Sequence, residues 1–178
     1  LKRTLLTIMS QRFSGEHFEV LVIDNHSTDS TKEVTESFQG EIRNLKYLFV
    51  DKPGLHEGRH AGMRMSAGDI LVYADDDIKA FPEWLESIAD SFQDESVALV
   101  GGKNIPDYDV TPPAWIENLW IETADGRYMA EFSLLDFGDT IKQIHPHFVF
   151  GCNFSIRKSV VNKIGGFHPD ALPQSLLK

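Results

Sequence analysis

The chain has 178 residues, 42% of them hydrophobic and 25% charged, which suits one soluble domain with its own core. Its net charge of −10 argues against nucleic acid as a partner, while a bridging cation could still bring a phosphate ligand to an acidic surface. The single cysteine, Cys152, excludes an intrachain disulfide, and no run approaches the roughly 18 apolar residues of a membrane span.

The opening segment LKRTLLTIMSQRF places Leu1, Leu5, Ile8 and Met9 at helical spacing and lacks the apolar centre and small-residue cleavage site of a signal peptide. Without an initial Met, it is expected to be internal to a longer protein. FEVLVID (18–24) reads as a strand ending in acid, and NHSTD as a turn. Ser30 with Glu33 fits a capping box opening a helix through about Phe38, closed by Gly40. LKYLFV (45–50) is the next strand and DKPG (51–54) a turn. HEGRHAGMRMSAG (56–68) reads as a helix stopped by Gly68, and DILVYA (69–74) as a nearly continuous apolar strand. Pro82 opens a helix over PEWLESIADSFQ, and VALVGG (97–102) is a further strand. Beyond residue 103 the regularity fades. A short helix is expected over 114–122, one or two strands over 147–158, and a helix over 159–167 stopped by Gly165 and Gly166.

This alternation predicts a three-layer α/β/α fold with a mostly parallel central sheet, and one domain over 1–178. Ligands in such sheets gather at the carboxyl ends of strands. Asp24 and the triplet Asp75, Asp76 and Asp77 both stand at such ends, so they are expected to approach each other in space. Three adjacent carboxylates repel one another unless something positive arrives. Mg²⁺ or Mn²⁺ is held by one or two carboxylates plus substrate phosphates. Asp75 and Asp77 share a face if the chain stays extended, which suits a metal–diphosphate complex. Alone, the motif is also compatible with a plain solvated turn. A carboxylate at Asp24 could accept a hydrogen bond from a base or ribose, and Arg59 could pair with a phosphate or with one of the acids.

Three ordered blocks resemble the family 2 glycosyltransferases with the GT-A fold. They are FEVLVIDNHSTDSTKEV, GLHEGRHAGMRMSAGDILVYADDDI and FGCNFSIRKSVVNKIGGF. The resemblance implies a nucleotide-sugar half over 1–103 and an incomplete acceptor half over 104–178. It implies an inverting transfer of a sugar from a nucleotide diphosphate, with a UDP-sugar favoured, to an acceptor hydroxyl, assisted by Mn²⁺ or Mg²⁺. Nucleotide contacts fall on Asp24, Arg59, Asp75 and Asp76, and the metal on Asp77 with Asp75. The sequence departs from the family pattern at Asn25, where a second acid is common, at Gly58 and His60 flanking Arg59, and at His168 and Pro169. A first strand of the family should precede Leu1, and the general base should lie beyond Lys178. Asp170 stands too near Gly166 for that role.

Trp115, Trp120 and Asn153 fall where the family places acceptor contacts, although core or interface packing is the commoner use of such tryptophans. Cys152 is expected to be a small buried hydrophobe. His145 and His147 lack an evident third metal ligand. A glycan or lipid-linked acceptor, a cytoplasmic setting and peripheral contact with a membrane are what the resemblance implies for the parent protein, in cell-surface glycan assembly. The 178-residue piece alone is expected to be inactive. The alternatives are a non-catalytic sugar-nucleotide-binding module and a haloacid-dehalogenase-like phosphatase. The latter wants Thr or Val where Lys79 stands.

Overall fold

The computed structural model describes residues 1–167. In chain order the elements begin with α1 (Lys2–Met9), β1 (Val20–Asp24), α2 (Thr31–Ser37), β2 (Leu45–Phe49) and α3 (Leu55–Met65). Then come β3 (Ile70–Ala74), α4 (Trp84–Ser91) and β4 (Leu99–Gly101). The later part holds β5 (Ile121–Thr123), β6 (Gly126–Met129), β7 (Leu134–Asp136), β8 (Asn153–Arg157) and α5 (Lys158–Ile164). Residues Ala114–Leu119, expected to be helical, form a 3₁₀ segment.

β1 and β2 pair in parallel, with Val20 opposite Leu45 and Asp24 opposite Phe49. β3 and β4 run the same way as each other but do not pair. β8 lies between them, antiparallel to both, with Tyr73 opposite Phe154 and Val100 opposite Ser155. Strand alternation assigns the faces. Val20 and Val22 pack with Leu5, Phe38, Ile42 and Leu45, so α1 and α2 cover one side of β1. Ile23 faces the other way, toward Gly58 and Gly62 of α3. Burying each of the four cluster side chains contributes about 1.5–3 kcal/mol.

Among the described residues, β1 and β3 each leave one edge unpaired, facing a slot of about 620 Å³. Consecutive residues of both strands line it, as they would along a hydrogen-bonding edge rather than a face. α1, α3 and α4 also contribute to its walls, through Leu5, Gly62 and Ile88 among others.

Some local expectations give way to tertiary geometry. Ser30 makes no side-chain cap; its φ of −84° and ψ of 25° leave the extended region that capping needs. Asp29 caps instead, its Oδ1 accepting the Thr31 amide at 3.0 Å and the Thr31 hydroxyl at 2.7 Å. α3 ends at Ser66, before Gly68. The meander β5–β6–β7 was not expected at all, although Asp125-Gly126 is a hairpin signal. Gly126 has φ +135°, and a β-carbon there would run into the Asp136 carbonyl. Asn104 and Leu135 exchange two backbone hydrogen bonds of 2.9 Å, tying the meander to the segment after β4.

Candidate functional site at the carboxyl ends of β1 and β3

Asp24 closes β1 and is 5% exposed. Its Oδ1 accepts the Ser27 amide at 2.8 Å and its Oδ2 the Tyr47 hydroxyl at 2.5 Å. Burial by itself would raise this carboxyl; the bonds from Tyr47 and Ser27 outweigh it and hold the pKa below the usual range. The same contact pushes Tyr47 up to about 12. Each carboxylate oxygen retains a second lone pair, but Asp24 is not among the residues lining the slot. Asn25 does line it. Its carboxamide bridges two turns, Nδ2 donating to the Lys52 carbonyl at 2.8 Å and Oδ1 accepting the Gly54 amide at 2.6 Å. That bridge sets where α3 begins.

The acidic triplet lies beyond the last residue of β3, with Asp76 and Asp77 in a turn. The alternation of an extended chain therefore does not bring Asp75 and Asp77 together; the turn does. Burial first, and then the Asp77 charge, push the Asp75 carboxyl above its usual range, with Arg59 opposing and Asp76 adding to the rise. The Thr4 hydroxyl anchors the turn to α1 through the carbonyls of Asp76 (2.6 Å) and Ile78 (3.0 Å). Among the described residues no ion pair reaches Asp75 or Asp77, and no group of three or more His, Cys, Asp or Glu side chains could hold a metal unaided. Two hard carboxylates in one turn, neither of them in an ion pair, suit a divalent ion whose remaining positions are filled by ligand oxygens and water.

Arg59 lines the slot together with Asn25, Asp75, Asp76 and Gly151; Asp77 does not line it. Its Nη2 donates to the Gly151 carbonyl at 3.4 Å, and its Cζ lies 5.2 Å from the Phe154 ring centroid and 5.8 Å from that of Phe167. A β-carbon at Gly151 would stand 2.8 Å from Nη2, so glycine is what allows this approach. The structure thus sets Arg59, Asp75 and Asp76 on the wall of one slot, with Asp77 next in the turn, and keeps Asp24 in its own hydrogen-bonded cradle at the end of β1.

The acceptor-side residues are differently engaged. Asn153 Oδ1 accepts the Trp84 indole N–H at 3.1 Å, and its Nδ2 donates to Asn104 Oδ1 at 2.9 Å. A β-carbon at Gly102 would collide with that carboxamide. Trp120 carries the Arg127 guanidinium over its ring at 4.3 Å, while Trp115 is 59% exposed. Cys152 is half-buried and receives the Asn104 carboxamide N–H at 3.4 Å; burial raises its thiol pKa. His145 Nδ1 accepts the His147 amide at 3.1 Å. Lys79 forms an ion pair with Asp107. Asp170 lies outside the described residues.

Tyr47, Trp84 and Asn104 were not anticipated. Tyr47 reaches Asp24 diagonally across the β1–β2 pair, a relation that only strand register reveals. No pattern along the chain marks the contact of Trp84 and Asn104 with Asn153.

A profile described as Glycosyl transferase family 2 matches residues 1–165. Glycosyltransferase AglE of Haloferax volcanii is 35% identical over 103 residues, which are 57% of this chain and 34% of that protein. Glucosyl-dolichyl phosphate glucuronosyltransferase of the same organism is 24% identical over 168 residues, 92% of this chain and 50% of that protein. Among solved structures, Staphylococcus aureus TarS 1–349 in complex with UDP superposes with a TM-score of 0.68 at 16% identity, covering 98% of this chain and 47% of that one. Mannosyltransferase PcManGT from Pyrobaculum calidifontis, in complex with GDP-Man and Mn²⁺, superposes at 0.65 with 17% identity, covering 95% and 44%. The chain thus spans half or less of the length of these relatives.

Proposed function

The chain belongs to glycosyl transferase family 2 and has the GT-A fold, and from that premise we propose that it is the donor-binding part of an inverting glycosyltransferase using a nucleotide diphosphate sugar. The observation that carries the reading is that Asp75 and Asp76, at the carboxyl end of β3, line the same slot as the Arg59 guanidinium, with Asp77 following in the same turn. Asp77 and Asp75 would hold Mn²⁺ or Mg²⁺. When bound, that ion would neutralise charge developing on the diphosphate leaving group. Arg59 would add a fixed positive fork on the same side. Asp24 and Asp76 would meet the base and ribose. The acceptor hydroxyl would attack the anomeric carbon in a single displacement, its proton passing to a carboxylate beyond Lys178. The UDP and GDP-Man complexes of the structural neighbours support a nucleotide-sugar donor; the family resemblance favours a UDP-sugar.

The slot between β1 and β3 supports a second element of this reading. A strand preceding Leu1, as the family resemblance implies, would supply a partner for these edges and pass into α1, because Leu1 itself stands on the slot wall. The name of the glucosyl-dolichyl phosphate relative supports a lipid-linked acceptor; a cytoplasmic setting beside a membrane belongs to the same proposal and rests on the family resemblance alone. Among the described residues no helix is long and apolar enough to cross a membrane.

Calorimetric titration of the full-length protein with UDP and with GDP, with and without Mn²⁺, tests the proposal. Binding that needs Mn²⁺ and is lost in Asp77→Ala is expected. Binding indifferent to both would overturn it.

A further inference from the structure

His60 occupies a position that the donor reading leaves unused. It follows Arg59 on α3, and its side chain leaves the helix in another direction, toward the end of α5. There the Phe167 amide donates to His60 Nε2 at 2.8 Å. The two consecutive glycines before Phe167 have separate tasks. Gly165, at φ +85°, ends α5 in the left-handed conformation. Gly166, at φ +99°, lies against the imidazole so closely that a β-carbon would collide with Nε2.

Phe167 is in turn the floor of a small aromatic layer. Its ring meets Tyr73 edge-on at 5.2 Å and Phe154 at 6.1 Å, while Tyr73 and Phe154 stack at 4.8 Å with their planes 13° apart. The Arg59 guanidinium lies over Phe154 and Phe167, and the Tyr73 hydroxyl donates to the Arg59 carbonyl at 3.1 Å. Two of the surfaces that define where this guanidinium rests therefore come from aromatic rings, and one of those rings is pinned by His60. An arginine with a long flexible stem gains in precision when its planar group is held before the ligand arrives.

We propose that His60 is a positioning residue: by accepting the Phe167 amide it fixes the aromatic floor beneath Arg59, and so aims the guanidinium at the diphosphate of the donor. The inference rests on the donor-binding reading for its consequence but not for its geometry. Accepting this bond requires Nε2 to be unprotonated, so the neutral Nδ1–H tautomer of His60 is the working form. Glutamine at this position can offer an amide oxygen near the place of Nε2, whereas phenylalanine keeps the ring and offers no acceptor.

The test uses the full-length protein with His60→Phe and His60→Gln, with His60→Ala in reserve if the Phe variant does not fold. The ligand-free readouts are the exchange rate of the Phe167 amide and the ring-current shift of the Arg59 Nε–H signal by NMR. Loss of one hydrogen bond should speed amide exchange by about three- to tenfold in His60→Phe, move the Arg59 signal toward its solvent value, and leave both nearly unchanged in His60→Gln. UDP affinity in the presence of Mn²⁺ should follow the same order. An Arg59 signal unmoved in His60→Phe, or a Phe167 amide unprotected in the parent, overturns the inference. Absence of UDP binding in the parent would instead overturn the donor reading, leaving the NMR result to decide the latch by itself.

Discussion

The Tyr47 hydroxyl stands 2.5 Å from Asp24 Oδ2, the two side chains meeting diagonally across the parallel β1–β2 pair. With the Ser27 amide on the other oxygen, it lets a carboxylate remain ionised at a nearly buried strand end.

Tyr47→Phe removes that donor and leaves the strand intact. Hydrogen bonds to charged groups contribute about 1.5–3 kcal/mol, so the variant should lose that much in urea unfolding at neutral pH. The folded pKa of Asp24 lies below its unfolded value. Its stabilisation is therefore complete above the unfolded pKa and is lost as pH falls through the folded one. Tyr47→Phe reduces the depression, so stability should fall less steeply than in the parent on acidification below about pH 5. An unchanged acid slope would count against the role given to Tyr47.

Asp75 has the opposite sign. Its folded pKa is raised by burial and by Asp77. Its contribution therefore favours the fold below the unfolded pKa and disappears as pH rises through the folded one. At neutral pH the ionised carboxylate is a mild liability until a cation arrives. Asp75→Asn should stabilise the metal-free protein against urea, by less than about 1 kcal/mol, because the carboxylate is partly desolvated by its neighbours but its residue remains exposed to solvent. The same change should weaken Mn²⁺-dependent UDP binding about tenfold or more, or at least 1.4 kcal/mol. A lowered midpoint would show that the triplet is not electrostatically strained.

Gly58 lies inside the unbroken helix α3, at a position where the family resemblance implies Ala. A β-carbon there would meet Ile23 Cγ2 at 3.7 Å and Asn25 Cβ at 3.8 Å, both ordinary contacts. Gly58→Ala should stabilise the protein by about 0.5–1 kcal/mol through lower unfolded-state entropy and better helix propensity. Thermal unfolding measures it, and a loss of stability would mean that α3 must approach β1 more closely than these distances allow.

The first turn of α2 separates two candidate caps. Asp29→Ala should destabilise the protein measurably and Ser30→Ala almost not at all, because Asp29 and not Ser30 receives the Thr31 amide. The reverse order in chemical denaturation would restore the capping box that the Ser30–Glu33 spacing suggests.

Local patterning was sufficient for the elements up to β4. The apolar runs of β1, β2 and β3, the periodicities of α1 and α4 and the Gly165 stop of α5 all reflect neighbours within a few residues, and that information lies in the chain itself. The same local logic located the acidic strand ends and Arg59. The antiparallel entry of β8 between β3 and β4, the Asp24–Tyr47 bond, the Asn104–Asn153–Trp84 network and the His60–Phe167 latch join residues 23 to 107 positions apart. Such contacts depend on register and on which edges the packed helices leave open, and neither quantity has a periodic signature along the chain. The chemistry available at the strand ends was thus decided by residue type, whereas the aim of each side chain was decided by folding.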